Sequence, residues 1–523
     1  MHLRPVPLFL AALGPLAPWA SGIELPAMFS RHAVLQQEEP VPVWGWGTPG
    51  EAVDVTFAGQ SKRTMVDEKG NWRIELAPLK ASAEGQILEV TGAESGRLKV
   101  EDILVGEVWM ASGQSNMQWA LSATERAKED IPAASHPGIR MFLTDLVTAA
   151  SPRRRVGGEW NVTTPQNAGK FSAVGYYFAL KLHAEVGVPV GIIRTAWGGK
   201  PSEAFTSRQT LMEEPEGRAL LQKLDAEMRR FDLGKAEVAY QKQLENWEKI
   251  RKSNRAEKDP KKRKKLPRKP QKPSPPALSP RRPVSIYNGM IHPWTGYAMK
   301  GAIWYQGESN ASRAKEYETI FPLLILDWRK QWQKELPFYF VQLANFRAPT
   351  RKPGEASSWA ELQNAQRLAL RLPKTGMAVI NDIGAAGDIH PRNKKDVGER
   401  LARWALVKEH GRKDVVVSGP LFRSFKVEGG GIRISFDYAE GLKTRDGKKP
   451  GRFEVAGEDQ VWQWGEAVID GETVLVSSEK VPNPVAVRYA WASNPEGANL
   501  VNAAGLPASL FRTDHWKLST ERQ

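Results

Sequence analysis

Ser115 follows an apolar run, Ile103-Leu104-Val105-Gly106-Glu107-Val108-Trp109-Met110, through Ala111-Ser112-Gly113-Gln114. The run reads as a buried strand. A strand that stops in Gly-x-Ser sets the hydroxyl at the carboxyl edge of its sheet, where open α/β sheets bind ligands. A serine hydroxyl is a weak nucleophile until a base takes its proton. Histidine suits that task near neutral pH. A carboxylate orients the imidazole and steadies its cation. Backbone N–H groups at a glycine turn, with an asparagine amide, can hold the oxyanion, and loss of one such donor costs about 2.7–4 kcal/mol.

Later strand ends carry these parts. Val188-Pro189-Val190-Gly191-Ile192-Ile193 leads to Trp197-Gly198-Gly199, and Gly301-Ala302-Ile303-Trp304-Tyr305 leads to Glu308 and Asn310. Met377-Ala378-Val379-Ile380 leads to Asp382, Asp388 and His390. In a parallel sheet these loops gather along one edge. Ser115 is then the candidate nucleophile and His390 the base. The N–H groups of Ser115 and of Gly199 or Gly198, with the Asn310 amide, are the candidate oxyanion donors. Asp388 is the first candidate acid, because a two-residue offset in an extended loop puts both side chains on one side. Glu308 and Asp382 remain alternatives, and Glu308 can instead hold the loops together. Gly-x-Ser is common by itself, and the bland alternative is an incidental serine on a turn.

His292 is the rival base and reads better as a structural or substrate-edge residue. The other histidines are scattered, no pair has metal-ligand spacing on a helix, and the chain has no cysteine. Neither a metal nor a cofactor is expected. Trp119 and Trp197 lie near the site in sequence and can stack on a sugar face.

The positioning elements divide the chain into blocks. At 523 residues it should hold two or three domains. Residues 23–102 carry short alternating strands with Gly and Pro turns, which imply a β-sandwich. Residues 103–414 alternate apolar strands and amphipathic helices, as in a parallel sheet covered on both faces. Ser358-x-x-Glu361 offers a capping box for one of these helices. Residues 415–523 return to β patterning and imply a second sandwich.

An insertion interrupts the central block at 212–282. Its first part reads as helical and its second, rich in Lys and Pro, as a disordered solvated loop. The net charge is +15, but Arg251 to Arg282 holds 14 Lys and Arg against Glu257 and Asp259. That segment alone supplies +12 and leaves the rest near neutral. The 255–282 loop is thus a candidate polyanion contact, while a nucleic-acid partner is not expected. Residues 1–22 resemble a signal peptide, with His2 and Arg4 before an apolar run and Ala20-Ser21-Gly22 at the end. Export to the periplasm or medium follows from that reading. No other stretch approaches the length needed to cross a bilayer.

Several blocks in order resemble the sialate O-acetylesterase family, within the SGNH (GDSL-like) hydrolases. They are Gly106-Glu107-Val108-Trp109 with Ser112 to Met117, Trp197-Gly198-Gly199, Tyr287 to Ile291, Trp304 to Asn310, and Asp388-Ile389-His390-Pro391. The flanks resemble it too, at Val41 to Trp46 and Phe511-Arg512-Thr513-Asp514. The resemblance implies an α/β fold with a flavodoxin-like parallel sheet flanked by two β-sandwiches. It implies hydrolysis of O-acetyl esters on carbohydrate, through Ser115, His390 and Asp388. Broader SGNH enzymes space acid and base as Asp-x-x-His, whereas here the spacing is Asp388-x-His390. Sialate is the substrate the family name implies, with acetylated xylan close behind. A non-catalytic carbohydrate-binding protein is the alternative of another class.

Overall fold

The computed structural model describes residues 22–259 and 262–521. The expected signal peptide lies outside them except for Gly22. The fold is organised around an 18-residue strand, β1 (Gly96–Gly113). From Ile103 onward every residue of β1 is buried, which is why this half reads as an unbroken apolar run.

Six more strands complete the central sheet: β2 (His136–Thr144), β3 (Gly158–Thr163), β4 (Val190–Arg194), β5 (Gly301–Tyr305), β6 (Phe338–Val341) and β7 (Thr375–Ala378). Their order is β7-β6-β5-β1-β4-β2-β3. All pairs are parallel except β2 with β3. From β1 the chain first builds β2, β3 and β4 on one side, then β5, β6 and β7 on the other. The strand order reverses at β1, and that reversal opens the crevice in which such sheets place ligands.

The N-terminal strands are not separated from this sheet. The first half of β1 pairs antiparallel with Ser82–Gly92, and its second half pairs parallel with β4 and β5. One strand therefore runs through the expected boundary at 102. Asp102 marks a bend there, with φ of 57°, and its carboxylate accepts from Arg140 at 2.8 Å. Val43, Val53 and Trp72 share one apolar core with Trp109 and Ile192. At the C-terminus, two four-stranded antiparallel sheets enclose a second core around Ile434, Val476, Tyr489 and Phe511.

Seven helices matter to the site or its surroundings: α1 (Ser115–Gln118), α2 (Ala173–Val186), α3 (Pro215–Arg230), α4 (Leu233–Ala256), α5 (Ala314–Trp332), α6 (Ser358–Leu368) and α7 (Lys395–Lys408). Ser172 caps α2 by accepting from the Gly175 N–H at 3.1 Å. Helix α7 packs on α2 at Gly398, where a Cβ would lie 2.8 Å from the Val174 carbonyl oxygen. This close crossing anchors the loop that precedes α7. The cap of α6 is Ser357 rather than Ser358, accepting from Ala360 N–H at 3.1 Å. Glu361 does not close a capping box, because Ser519 and Thr520 offer its carboxylate four donors.

The insertion begins with helices α3 and α4. Helix α3 buries Gly217, Leu221 and Leu224, whereas α4 buries nothing. The following basic stretch was expected to be a free loop, yet it has contacts along α4. Trp247 Nε1 donates to the Pro267 carbonyl at 2.8 Å, and Asn254 pairs with the Lys264 backbone in both directions. These side chains satisfy backbone groups that composition alone leaves to water. Among the described residues, no helix is long and apolar enough to cross a membrane.

Candidate active site

Ser115 opens α1 directly beyond the carboxyl end of β1. The turn needs a glycine before it: Gly113 has φ of +128°, and a Cβ there would lie 2.2 Å from the Tyr305 carbonyl oxygen. Gln114 N–H then donates to that same carbonyl at 2.9 Å. This stitching to β5 fixes where the serine leaves the sheet.

The His390 loop closes over this point. Ser115 Oγ and His390 Nε2 are 2.8 Å apart. The nucleophile and base read from the sequence are therefore in hydrogen-bond contact across 275 residues. His390 Nδ1 lies 3.6 Å from Asp388 Oδ1, and the same oxygen accepts from the His390 backbone N–H at 2.9 Å. The backbone bond holds the carboxylate beside the ring, at ion-pair rather than hydrogen-bond distance from it. The Asp388 side chain is 50% exposed, so water screens its field.

The other two candidate acids are engaged elsewhere. Asp382 receives a two-pronged contact from Arg400, at 2.6 and 2.8 Å. Glu308 is partly buried and accepts from Asn116 Nδ2 at 2.6 Å, while its buried second oxygen has no partner among the described residues. Burial pushes the Glu308 carboxyl above the ordinary carboxylate range. Asn116 also donates to the Ile389 carbonyl at 3.0 Å, and its Oδ1 accepts from Lys394 Nζ. Glu308, Asn116 and Lys394 thus tie the serine turn to the β5 loop and to the start of α7.

Lys394 is fully buried, and burial lowers its ammonium pKa to about 7 against the opposing pull of Glu308 and Asp388. His390 is also held below the ordinary histidine value. Burial is the main cause, with Lys394 acting in the same direction and Asp388 opposing. Trp119 stacks on the imidazole, with ring centroids 4.9 Å apart and planes at 18°. The ring expected to receive a sugar therefore packs on the His390 imidazole.

The candidate oxyanion donors differ in what they already bond to. Gly198 stands against the serine, where a Cβ would lie 3.2 Å from Ser115 Cβ. Its N–H, however, donates to Gln118 Oε1 at 2.8 Å. Gly199 is left-handed at φ of +68°, and its N–H has no acceptor among the described residues. Ser115, as the first residue of α1, has no intrahelical acceptor for its N–H. Asn310 lies in a buried network instead. Its Nδ2 donates to Glu203 Oε2 at 2.9 Å, and its Oδ1 accepts from Gln306 and from Ser202 N–H. The neighbouring Arg313 ion-pairs Glu203 at 2.6 Å. Asn310 therefore reads as a support of the two loops, and the free donors are backbone N–H groups.

Two cations stand beside the glycines. A Cβ on Gly199 would lie 3.7 Å from Arg281 Nη2. Burial and the Arg281 charge lower the Lys200 pKa, and Lys200 Nζ lies 5.5 Å from the Trp197 ring centroid. Among the described residues, neither cation is within ion-pair distance of a carboxylate. Sequence reasoning missed Asn116, Gln118, Lys200, Arg281 and Lys394. Asn116 adjoins the serine, but a lone lysine beyond His390 carries no spacing signal. His292 is partly buried beside Tyr287; among the described residues its Nδ1 has no partner and it takes no part in the Ser115 contacts.

A hydroxyl on an imidazole, beside free N–H donors, is the arrangement acyl transfer requires. Residues 281–406 match the family described as carbohydrate esterase, sialic acid-specific acetylesterase. The chain is 29% identical to the sialate O-acetylesterase of Mus musculus, over 91% of this chain and 90% of that one. It is 26% identical to the Homo sapiens enzyme of that name, over 93% and 92% respectively. A solved carbohydrate acetylesterase from Xanthomonas citri is 37% identical, with a TM-score of 0.78 over 94% of this chain and 100% of that one. With likeness sustained over nearly its whole length, the chain belongs to the sialate O-acetylesterase family of carbohydrate esterases.

Proposed function

We propose that this esterase works through Ser115 as nucleophile, with His390 as base and Asp388 as the supporting acid. The observation that carries the reading is the 2.8 Å contact between Ser115 Oγ and His390 Nε2. His390 takes the hydroxyl proton as Oγ attacks the acetyl carbonyl. The N–H groups of Ser115 and Gly199 receive the oxyanion. The histidine then returns the proton to the departing sugar hydroxyl, leaving acetyl-Ser115. Water, deprotonated by His390, releases acetate and restores the serine. Ser115→Ala should lower kcat on p-nitrophenyl acetate by on the order of 10⁴- to 10⁶-fold. Retained turnover, or no labelling of Ser115 by a serine-directed phosphonate, would return the protein to the class of non-catalytic sugar binders.

The sugar we propose is an O-acetylated sialate. Lys200 and Arg281 support this reading, since two adjacent cations without a carboxylate of their own suit an anionic substrate. Acetate release from acetylated sialosides should exceed release from acetylated xylan. Lys200→Met with Arg281→Met should erase that preference by raising KM for sialosides alone. Xylan preferred by the unaltered enzyme would favour the neutral-polysaccharide reading. The N-terminal pattern supports export by a signal peptide, and the 255–282 stretch supports a contact with polyanions.

A further inference from the structure

A second cleft lies at the other end of the sheet. It occupies about 760 Å³ beside Thr375, the first residue of edge strand β7. Ser115 lies beyond the opposite, carboxyl ends of the strands. The cleft forms where the ends of α6 and α7 meet the first C-terminal sheet.

Its charges are unbalanced. Arg367, Arg371, Lys374 and Lys408 line it, against Glu409 and Asp437. Both acids have partners: Glu409 accepts from the Tyr339 hydroxyl at 2.7 Å, and Asp437 lies 3.8 Å from Arg423. Lys374 lies 3.8 Å from Glu335. Among the described residues, Arg367, Arg371 and Lys408 are not within ion-pair distance of any carboxylate. Arg367 is the telling case. Its Nε and Nη2 donate to Asn364 Oδ1, at 3.2 and 2.9 Å, which fixes the guanidinium and leaves Nη1 without an acceptor among the described residues. Burial, with no anion to oppose it, lowers the pKa of Arg367 to about 10. A guanidinium held this way is preorganised for the carboxylate it lacks.

The rest of the lining is mainly apolar, four leucines with three aromatic rings, Trp404, Phe422 and Tyr438. Tyr438 is exposed, its φ is +60°, and its ring stands edge-on to Trp404 with centroids 6.0 Å apart. A bulky residue in that left-handed region is strained by of order 1–3 kcal/mol, and such strain gathers at ligand sites. Phe422 lies 5.7 Å from the Arg367 guanidinium. Aromatic faces take the C–H faces of sugar rings, and arginines take carboxylates.

We propose that this cleft is a binding site for carboxylate-bearing oligosaccharide, separate from Ser115, with Arg367 on the carboxylate and Tyr438 against the ring. It would hold an acidic glycan while the esterase edge works on another part of the chain. The site does not depend on the serine chemistry.

The test is calorimetric titration of the full chain with tetragalacturonate, with an α2,8-linked sialic acid trimer and with neutral xylotetraose. One or both acidic probes should bind, and xylotetraose should not. Arg367→Gln and Tyr438→Ala should each weaken binding at least tenfold, with p-nitrophenyl acetate turnover unchanged. Arg371→Gln with Lys408→Gln, at the surface, gives the same reading if Arg367→Gln folds poorly. Binding should survive Lys200→Met with Arg281→Met, which separates this cleft from the esterase rim. Failure of both acidic probes to bind, equal binding of xylotetraose, or loss only in the Lys200/Arg281 variant would overturn the proposal.

Discussion

Trp119 lies almost parallel to His390, with centroids 4.9 Å apart and the planes at 18°. Its Nε1 donates to the Ala123 carbonyl at 3.0 Å, which fixes the indole. A stack of this kind contributes about 0.5–1.5 kcal/mol. Trp119→Ala should therefore lower kcat up to about tenfold by freeing the imidazole. Since the ring supports the base and not the ester, KM for p-nitrophenyl acetate should hardly move. A rise in KM with kcat unchanged would restore Trp119 to a sugar-binding role.

Asp388 should be a weak acid partner. Its oxygen is 3.6 Å from His390 Nδ1 and is already bonded to the backbone, and its side chain is half exposed. A buried triad aspartate contributes about 10⁴-fold through tautomer and charge. Asp388→Asn should cost closer to tenfold in kcat, because a solvated carboxylate at this range contributes little. A loss near 10⁴ would mean that the loop tightens when substrate binds.

The pH profile should report the Lys394 charge. His390 must be neutral to accept the serine proton, and burial with Lys394 holds it below the ordinary histidine value of about 6.5. A lowered pKa populates the active form at lower pH, so the acid limb of kcat/KM should fall below that value. Lys394→Met removes a cation that disfavours the imidazolium, and the limb should move to higher pH. Lys394 itself is charged below about 7, so its field is present across the limb. An unmoved or downward-shifted limb would contradict this coupling.

Gly198 should tolerate no side chain. A Cβ there would lie 3.2 Å from both Ser115 Cβ and Gln118 Oε1. Gly198→Ala should push the serine or release Gln118, lowering kcat at least tenfold with little change in Tm. Gly199→Ala meets open space, with Arg281 3.7 Å away, but must hold φ of +68°. That strain costs roughly 1–2 kcal/mol, so its effect should appear in Tm as well. Equal Tm losses in both variants would point to folding rather than to serine placement.

The candidate nucleophile and base were legible because buried parallel strands write themselves as apolar runs, and each run stops where its loop begins. Gly113 and Gly198 were legible as turn residues, although only the structure shows which neighbours exclude a Cβ. Asn310 was read by residue type, and type cannot say that Glu203 would take its amide. Lys394 carried no signal, because the groups around its ammonium, Asn116 and the Trp119 and Tyr305 rings, come from distant parts of the chain. The strand that crosses the expected boundary at 102 carried no signal for a related reason. Strand β1 changes partners along its length, while its sequence changes only from alternating to apolar.

The insertion should be dispensable for stability and not for polyanion contact. Helix α4 buries no residue, while α3 buries Leu221 and Leu224 and Arg282 ion-pairs Glu227 at 2.6 Å. Replacing residues 233–272 with a short Gly-Ser linker leaves those contacts in place. Little apolar burial is lost, so Tm should change by no more than about 2 °C, and p-nitrophenyl acetate turnover should persist. The basic charge that the deletion removes lies in water, where its attraction to a polyanion is screened by salt. The shortened chain should leave a heparin column at markedly lower salt than the full chain. Unchanged elution would assign polyanion contact to another surface, and a large fall in Tm would show that α4 supports the fold through contacts beyond apolar burial.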